Sequence, residues 1–195
     1  SMKLCGLTGG VGMGKSTAAG FFLAQGARII DTDELARQLV QLGQPALGEI
    51  RREFGADILT AAGELNRAEL ARRVFADVAA RKKLEAILHP RIRESWLAQV
   101  EQWRREDRPL AIVVIPLLFE TQAEVYFQKI ICVACSPAAQ RERLSARGWS
   151  PEQISQRIAA QWPVEQKIVR SQFVLWTEGE KQSTEQQVAQ VLQRL

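Results

Sequence analysis

Histidine and cysteine are scarce in this sequence of 195 residues, which narrows the metal and redox chemistry open to it. It has one histidine, His89, and three cysteines, Cys5, Cys132 and Cys135. Cys132 and Cys135 are the only close pair, but they belong to an apolar, strand-like segment, where side chains three apart point to opposite faces. Too few ligands remain for a four-coordinate zinc site, and an odd count without a secretory leader argues against disulfides. We therefore predict reduced cysteines in the core.

Apolar runs long enough for a membrane span are absent as well. The longest, such as 110–119, are too short to cross a bilayer, and no signal-peptide layout opens the chain. We predict a cytoplasmic protein without a membrane partner, and we interpret Ser1, which precedes Met2, as a tag remnant. The net charge of +4 and the pI near 9.2 suit phosphorylated ligands without demanding nucleic acid. Nothing in the sequence points to an obligate protein partner.

Strand-like and helix-like patterns alternate at both ends of the chain. Strands are predicted at 3–7, 27–31, 110–115, 129–134 and 173–176. Helices are predicted at 15–25, 33–40, 137–147 and 184–194, with another beginning at Ser150. The stretch 46–107 is helical in pattern almost throughout, with a helix start at Asn66 and a break or new start at Pro90. This order predicts the α/β class: a parallel sheet with helices on both faces and a helical insertion.

A glycine-rich segment, Gly9 to Ser16, fits the pattern G-x-x-x-x-G-K-[ST] in full. It lies between a predicted strand and a predicted helix, which is the context that this phosphate-binding loop requires. Glycines allow successive backbone N–H groups to point at phosphate oxygens, and the helix N-terminus adds its positive dipole end. The predicted ATP-binding residues are Gly10, Val11, Gly12, Met13, Gly14, Lys15, Ser16 and Thr17.

Three side chains of this loop have distinct expected roles. Lys15 reaches the β- and γ-phosphates, and Ser16 offers its hydroxyl to Mg²⁺. Thr17 lies in the first helical turn, near the α-phosphate. The chain has no N-K-x-D guanine motif, no L-S-G-G-Q segment and no acidic pair after the strand 110–115. A small-molecule kinase is therefore the leading class.

Two further groups have both a functional and a structural interpretation. Asp33 follows the second predicted strand, where open α/β sheets present ligands, and it either accepts a proton from an acceptor hydroxyl or caps a helix. Gln140, Arg143 and Arg147 form one helical stripe. That stripe is either a lid whose arginines clamp phosphates or a solvated charged face.

Taken in order, these residues resemble the dephospho-CoA kinase family over most of the chain. The resemblance starts at Gly6-Leu7-Thr8 and runs through the loop above and Asp31-Thr32-Asp33. It continues through Arg67, Leu70, Val74-Phe75, Leu84, Ile87, His89-Pro90, Pro116-Leu117-Leu118, Glu120, Gln140, Arg143, Arg147, Arg157, Gln161 and Lys167.

The resemblance implies ATP-dependent phosphorylation of the ribose 3′-hydroxyl of dephospho-CoA, with Mg²⁺, as the last step of coenzyme A biosynthesis. It implies that Asp33 is the general base, and that Lys15 and Arg143 stabilise the transferring phosphoryl group. It places Thr8, Asp33, Arg67, His89, Leu118 and Arg147 at the acceptor.

The resemblance also implies a single domain over 2–195 with three parts. These are a P-loop kinase core (2–45, 108–136 and 164–195), a helical CoA-binding region (46–107) and a helical lid (137–163).

The sequence departs from the family pattern at two places. Met13 stands where a small residue is usual, which predicts a bulky side chain at the tip of the loop. Ser171-Gln172 and Thr177-Glu178-Gly179 replace the usual residues near the C-terminus. Two alternatives stay open: a P-loop kinase for another nucleoside, nucleotide or metabolite, and a nucleotide-binding regulator without a phosphoryl acceptor.

Overall fold

The computed structural model describes all residues from 1 to 195, and they form two compact units. The core unit comprises Ser1–Asp31 and Val100–Leu195, and the helical unit comprises Thr32–Gln99. The expected three-part division by role follows different boundaries and stays a prediction.

The core unit contains a five-stranded sheet in which every pairing is parallel. Its strands are β1 (Lys3–Gly9), β2 (Arg28–Asp31), β3 (Leu110–Val114), β4 (Lys129–Ala134) and β5 (Phe173–Trp176). They lie in the order β2-β3-β1-β4-β5. The predicted α/β class with a parallel sheet is confirmed, and the carboxyl ends of all five strands meet at one edge.

Nine α-helices accompany the sheet. They are α1 (Lys15–Ala24), α2 (Thr32–Leu39), α3 (Pro45–Phe54), α4 (Arg67–Ala76), α5 (Val78–Arg105), α6 (Pro137–Ala146), α7 (Pro151–Ala159), α8 (Val164–Val169) and α9 (Lys181–Arg194). Short 3-10 turns cover Ala56–Ile58 and Ala123–Tyr126. None of the helices combines the length and the apolar character that a membrane crossing requires.

The core of this sheet is built from alternate residues of its strands. Leu7 and Ile131 point to the face that α1 and α9 cover, where they pack with Phe22 and Val191. On the other face α8 contacts β1 and β4. Burial of this apolar surface is the main term that holds the core unit together.

All three cysteine thiols are free and buried, as the sequence predicts. Burial raises the pKa of the Cys5 and Cys132 thiols to about 11. A thiol with so high a pKa is almost fully protonated at neutral pH, so neither group is a reactive thiolate there.

Serine caps begin two helices of the core unit. The side chain of Ser136 accepts from the Ala139 N–H at the start of α6. Ser150 and Gln153 form a complete capping box at the start of α7, and a proline follows each serine.

The helical unit has a smaller core, made of Val40, Ile50, Ile58, Leu70 and Val74. The predicted start at Asn66 is confirmed, because its side chain accepts from the Glu69 N–H. The predicted break at Pro90 is wrong. This proline lies inside α5, which continues through it, because the preceding turns pack Leu84, Ile87 and Leu88 against the core and hold the helix in one piece.

Candidate active site

The glycine-rich segment connects β1 to α1, as its pattern requires. A β-carbon on Gly9 would lie 2.2 Å from the Val133 carbonyl oxygen, so only glycine allows this approach to β4. Gly14 has a φ of 96° and forms the N-cap of α1, a conformation that L side chains rarely adopt. The loop therefore has the backbone geometry of a phosphate cradle directly before a helix N-terminus.

The Lys15 ammonium group is bonded to the loop itself. Its Nζ donates to the carbonyl oxygens of Gly10 at 2.9 Å and Gly9 at 3.3 Å, and the Met13 N–H donates to the same Gly10 oxygen at 3.2 Å. The lysine is thus placed beside the concave loop, where a phosphate oxygen is a stronger acceptor for the charged donor than a carbonyl.

Ser16 and Thr17 occupy the first turn of α1, and the Ser16 side chain is exposed. No group of three or more acidic, histidine or cysteine residues in the chain is arranged to hold a metal ion. Mg²⁺ in nucleotide enzymes is bound by one or two protein oxygens, by phosphates and by water. An exposed hydroxyl beside a phosphate loop fits this donor set.

Met13 does not place its side chain at the tip of the loop, and that expectation is wrong. The side chain is only 2% exposed and packs with Cys135, Ala139, Val164 and Ile168. An apolar cluster next to the loop therefore accommodates the long side chain, and burial of its surface favours this position over an exposed one. The face that the loop offers to phosphate is formed by backbone.

The arginine stripe on α6 divides into a bonded part and an exposed part. Gln140 is buried and donates from Nε2 to the Val11 carbonyl oxygen at 2.9 Å, so α6 contacts the phosphate loop directly. The Arg143 guanidinium donates to Thr177, and Arg147, one turn further along, is exposed at the C-cap. Gln140 thus contacts the loop directly, Arg143 is bonded to Thr177, and Arg147 is left exposed.

Thr177, which follows β5, is a residue whose role the sequence did not predict. Its hydroxyl donates to the Met13 carbonyl oxygen at 2.6 Å. It also accepts from Arg143 Nη1 at 3.0 Å, while the Thr177 carbonyl oxygen accepts from Nη2 at 2.6 Å. The departure from the family pattern at 177–179 marked this segment, but nothing in the sequence predicted these partners.

Glu178 secures the start of α6. Its carboxylate accepts from the Ser136 N–H, one of the backbone donors that a helix N-terminus leaves without a partner in the helix. Hydrogen bonds with the side chain and the backbone N–H of Ser136 hold the pKa of the Glu178 carboxyl below its usual value. The negative charge also lies at the positive end of the helix dipole.

A buried polar cluster follows β3. The Thr8 hydroxyl donates to the Pro116 carbonyl oxygen at 3.1 Å, and Lys167 Nζ donates to the same oxygen at 2.8 Å. Lys167 is fully buried and also contacts Gln161 Oε1 and Glu120 Oε2, each at 3.0 Å. Burial lowers the pKa of the Lys167 ammonium, while Glu120 opposes that shift. Leu118, a predicted acceptor contact, is itself fully buried.

The remaining predicted acceptor residues belong to the helical unit. Asp33 is exposed in the first turn of α2. Arg67 is exposed at the start of α4, and its Nη2 donates to the Arg37 carbonyl oxygen at 3.4 Å. His89 is half-buried in α5, and burial lowers the pKa of its imidazole. Their contact with an acceptor stays a prediction.

Comparison with known proteins matches the whole chain to one group. A family model described as dephospho-CoA kinase matches residues 3–183. The chain is 40% identical to the dephospho-CoA kinase of Bdellovibrio bacteriovorus over 194 residues, covering 100% of this chain and 96% of that protein. It is 42% identical to the Anaeromyxobacter dehalogenans enzyme of the same name over 179 residues, covering 91% and 85%.

A solved structure shares the fold over the whole chain. The crystal structure of TT1252 from Thermus thermophilus aligns with a TM-score of 0.80 at 34% identity, covering 100% of this chain and 98% of that one. The fold, the phosphate loop and the sequence matches all lead to one conclusion: this chain belongs to the dephospho-CoA kinase family.

Proposed function

We propose that this protein transfers the γ-phosphoryl group of ATP to the ribose 3′-hydroxyl of dephospho-CoA, giving CoA and ADP, as the last step of coenzyme A biosynthesis. The observation that carries the proposal is the phosphate loop with two cations bonded beside it. Lys15 donates to the loop carbonyls, and Arg143 is bonded to Thr177, which itself bonds the loop. Family membership over nearly the whole chain supports the choice of acceptor.

On the donor side the protein supplies position and charge. Backbone N–H groups of the loop hold the phosphates, and Lys15 exchanges its carbonyl partners for β- and γ-phosphate oxygens. Arg143 stabilises the charge that develops on the transferring group. The Ser16 hydroxyl would be the protein ligand of Mg²⁺, which would supply positive charge against the phosphates. Thr177 already holds Arg143 in place, whereas Lys15 has to leave its carbonyl partners to reach the phosphates.

On the acceptor side Asp33 is the proposed general base. Its carboxylate accepts the proton of the 3′-hydroxyl as that oxygen forms a bond to the γ-phosphorus. The bond between the γ-phosphorus and the β–γ bridging oxygen breaks, and ADP leaves with its electron pair. Arg67, His89 and Arg147 bind the acceptor, while Thr8 and Leu118 shape the adjoining segment.

We place the reaction in the cytoplasm. The three cysteines are unpaired thiols, as is usual for proteins of a reducing compartment. The product, coenzyme A, carries a free thiol that such a compartment preserves.

An acceptor panel tests the function. Purified protein is incubated with Mg-ATP, and ADP release is followed with dephospho-CoA, a nucleoside, a nucleoside monophosphate, a small polyol or no acceptor. We expect strong stimulation by dephospho-CoA alone. Stimulation by another acceptor would assign a different kinase, and ATP binding without stimulation by any acceptor would assign a nucleotide-binding regulator.

A further inference from the structure

Thr177 connects three parts of the site at once. Its own N–H donates to the Ala134 carbonyl oxygen at 3.0 Å, which extends the bonding between β4 and β5 by one residue. Its hydroxyl donates to the Met13 carbonyl oxygen of the phosphate loop. Both of its oxygens accept from Arg143 on α6. The side chain is 8% exposed, so water has little access to compete for these bonds.

The geometry at Arg143 fixes the orientation of its guanidinium. Two nitrogens, Nη1 and Nη2, donate to two oxygens of the same residue, at 3.0 and 2.6 Å. A planar group held at two points has little freedom to rotate, and the rest of its five N–H donors remain for a ligand. Charge-assisted bonds of this kind are among the stronger hydrogen bonds in proteins.

The same hydroxyl relates the guanidinium to the phosphate loop. One oxygen atom donates to the Met13 carbonyl and accepts from Arg143, so the arginine and the loop share a common reference point. A valine at this position would keep the volume but would leave both Met13 O and Arg143 Nη1 without this partner.

We propose that Thr177 is a positioning residue for phosphoryl transfer, which sets the Arg143 guanidinium relative to the phosphate loop. This inference rests on the proposed function. In this role Thr177 does not itself touch the reacting atoms. An effect of its substitution on turnover would distinguish this role from a purely structural contact. Loss of a group that acts only in the transition state lowers kcat and kcat/KM equally and leaves KM unchanged.

The test compares Thr177→Val with Thr177→Ser in the ADP-release assay. We expect Thr177→Val to lower kcat about tenfold, with little change in KM for ATP or dephospho-CoA. Thr177→Ser keeps the hydroxyl and should retain most of the wild-type kcat. Thr184→Val is the matched control, because Thr184 is also buried, in α9, and should leave kcat unchanged.

A double-mutant cycle with Arg143→Ala identifies the route of the effect. If Thr177 acts through Arg143, then adding Thr177→Val to Arg143→Ala should cost little further activity. Full additivity, an unchanged kcat in Thr177→Val, or an equal loss in Thr177→Ser would each overturn the inference. A rise in KM for ATP with unchanged kcat would also overturn it. No acceptor-dependent ADP release by the wild type would instead overturn the proposed function, and this inference with it.

Discussion

The cations beside the phosphate loop of the core unit are more buried than the predicted acceptor residues Asp33 and Arg67 of the helical unit. In the core unit Lys15, Arg143 and Lys167 are half-buried or buried, and each donates to a backbone carbonyl oxygen. In the helical unit the predicted acceptor residues Asp33 and Arg67 are exposed. Several of its ion pairs are partly exposed, among them Arg73 with Glu69 and Asp57, Lys83 with Glu53 and Arg91 with Glu49.

This difference in burial predicts that ATP binding and acceptor binding require different amounts of side-chain ordering and desolvation. The proposed donor side is partly preorganised, because Thr177 already holds Arg143 at the sheet edge and only Lys15 has to exchange carbonyl partners for phosphate oxygens. The predicted acceptor residues Asp33 and Arg67 are exposed, so we expect both to lose water when the acceptor binds. We therefore expect substitutions of charged residues in the core unit and in the helical unit to differ in their effects on kcat, ATP binding and stability.

The largest expected effects are on kcat, and they distinguish the proposed base, Asp33, from Lys15 of the phosphate loop. Asp33→Asn removes a proton acceptor, so we expect kcat to fall by about 10²- to 10⁴-fold while ATP binding stays intact. Lys15→Ala removes the cation that we propose contacts ATP in the ground state as well as in the transition state. It should weaken ATP binding and lower kcat, by about 10²- to 10³-fold. Steady-state kinetics and calorimetric titration with ATP measure both quantities.

Asp107→Asn is the matched control for this pair. Asp107 is exposed and has a φ of 52°, a conformation that asparagine also tolerates. Its substitution should change neither kcat nor ATP affinity. Unchanged turnover in Asp33→Asn would remove Asp33 from the role of base.

The next effect is on stability and compares a buried ion pair with an exposed one. Lys167→Met leaves the Glu120 carboxylate, 14% exposed, without its cation, and the free energy of unfolding should fall by about 3–5 kcal/mol. Adding Glu120→Gln should recover part of this loss, because the remaining charge is removed while an acceptor for the Trp162 N–H stays. Denaturant unfolding measures the change.

Lys83→Met tests the exposed side of the same comparison. The Lys83 and Glu53 side chains are 61% and 40% exposed, so water already solvates both charges. The unfolding midpoint should move far less than in Lys167→Met. Equal shifts in the two variants would contradict the proposed difference between the units.

The smallest effect concerns pH. Burial lowers the pKa of His89 in the folded state below its ordinary value of 6.5, with Glu85 opposing and Arg93 adding to the shift. Below pH 6.5 the unfolded chain therefore binds a proton that the folded chain does not, and stability falls until the folded pKa is passed. His89→Gln should flatten this dependence below pH 6.5. A profile identical to that of the wild type would show that His89 does not contribute to it.

The sequence predicted the sheet better than the bonds at the site. β4 and β5 have the predicted bounds, because short apolar runs with clear flanking residues are typical of buried strands. The predicted helix break at Pro90 was wrong, because packing of the neighbouring turns outweighed the local preference of proline. The burial of Met13 depends on α8, which lies far along the chain.

Hydrogen bonds between residues far apart in the sequence were not predicted either, because they also depend on how the chain folds. The Thr177 hydroxyl and the Met13 carbonyl are 164 residues apart, and no spacing rule relates them. The loop motif of 9–16 was recognisable, because a short run of residues makes the whole phosphate cradle. The sequence therefore predicted the local phosphate-loop motif, whereas the orientation of the Arg143 guanidinium could be described only from the structure.

The central claim is that this protein phosphorylates the ribose 3′-hydroxyl of dephospho-CoA. Phosphorus NMR of the product, after incubation of the wild-type enzyme with Mg-ATP and dephospho-CoA, tests it most directly. The account predicts one new phosphomonoester on the ribose 3′ oxygen, formed in equal amount with ADP and much reduced in Asp33→Asn. A phosphate at any other position, or ADP without a new ester, would contradict it.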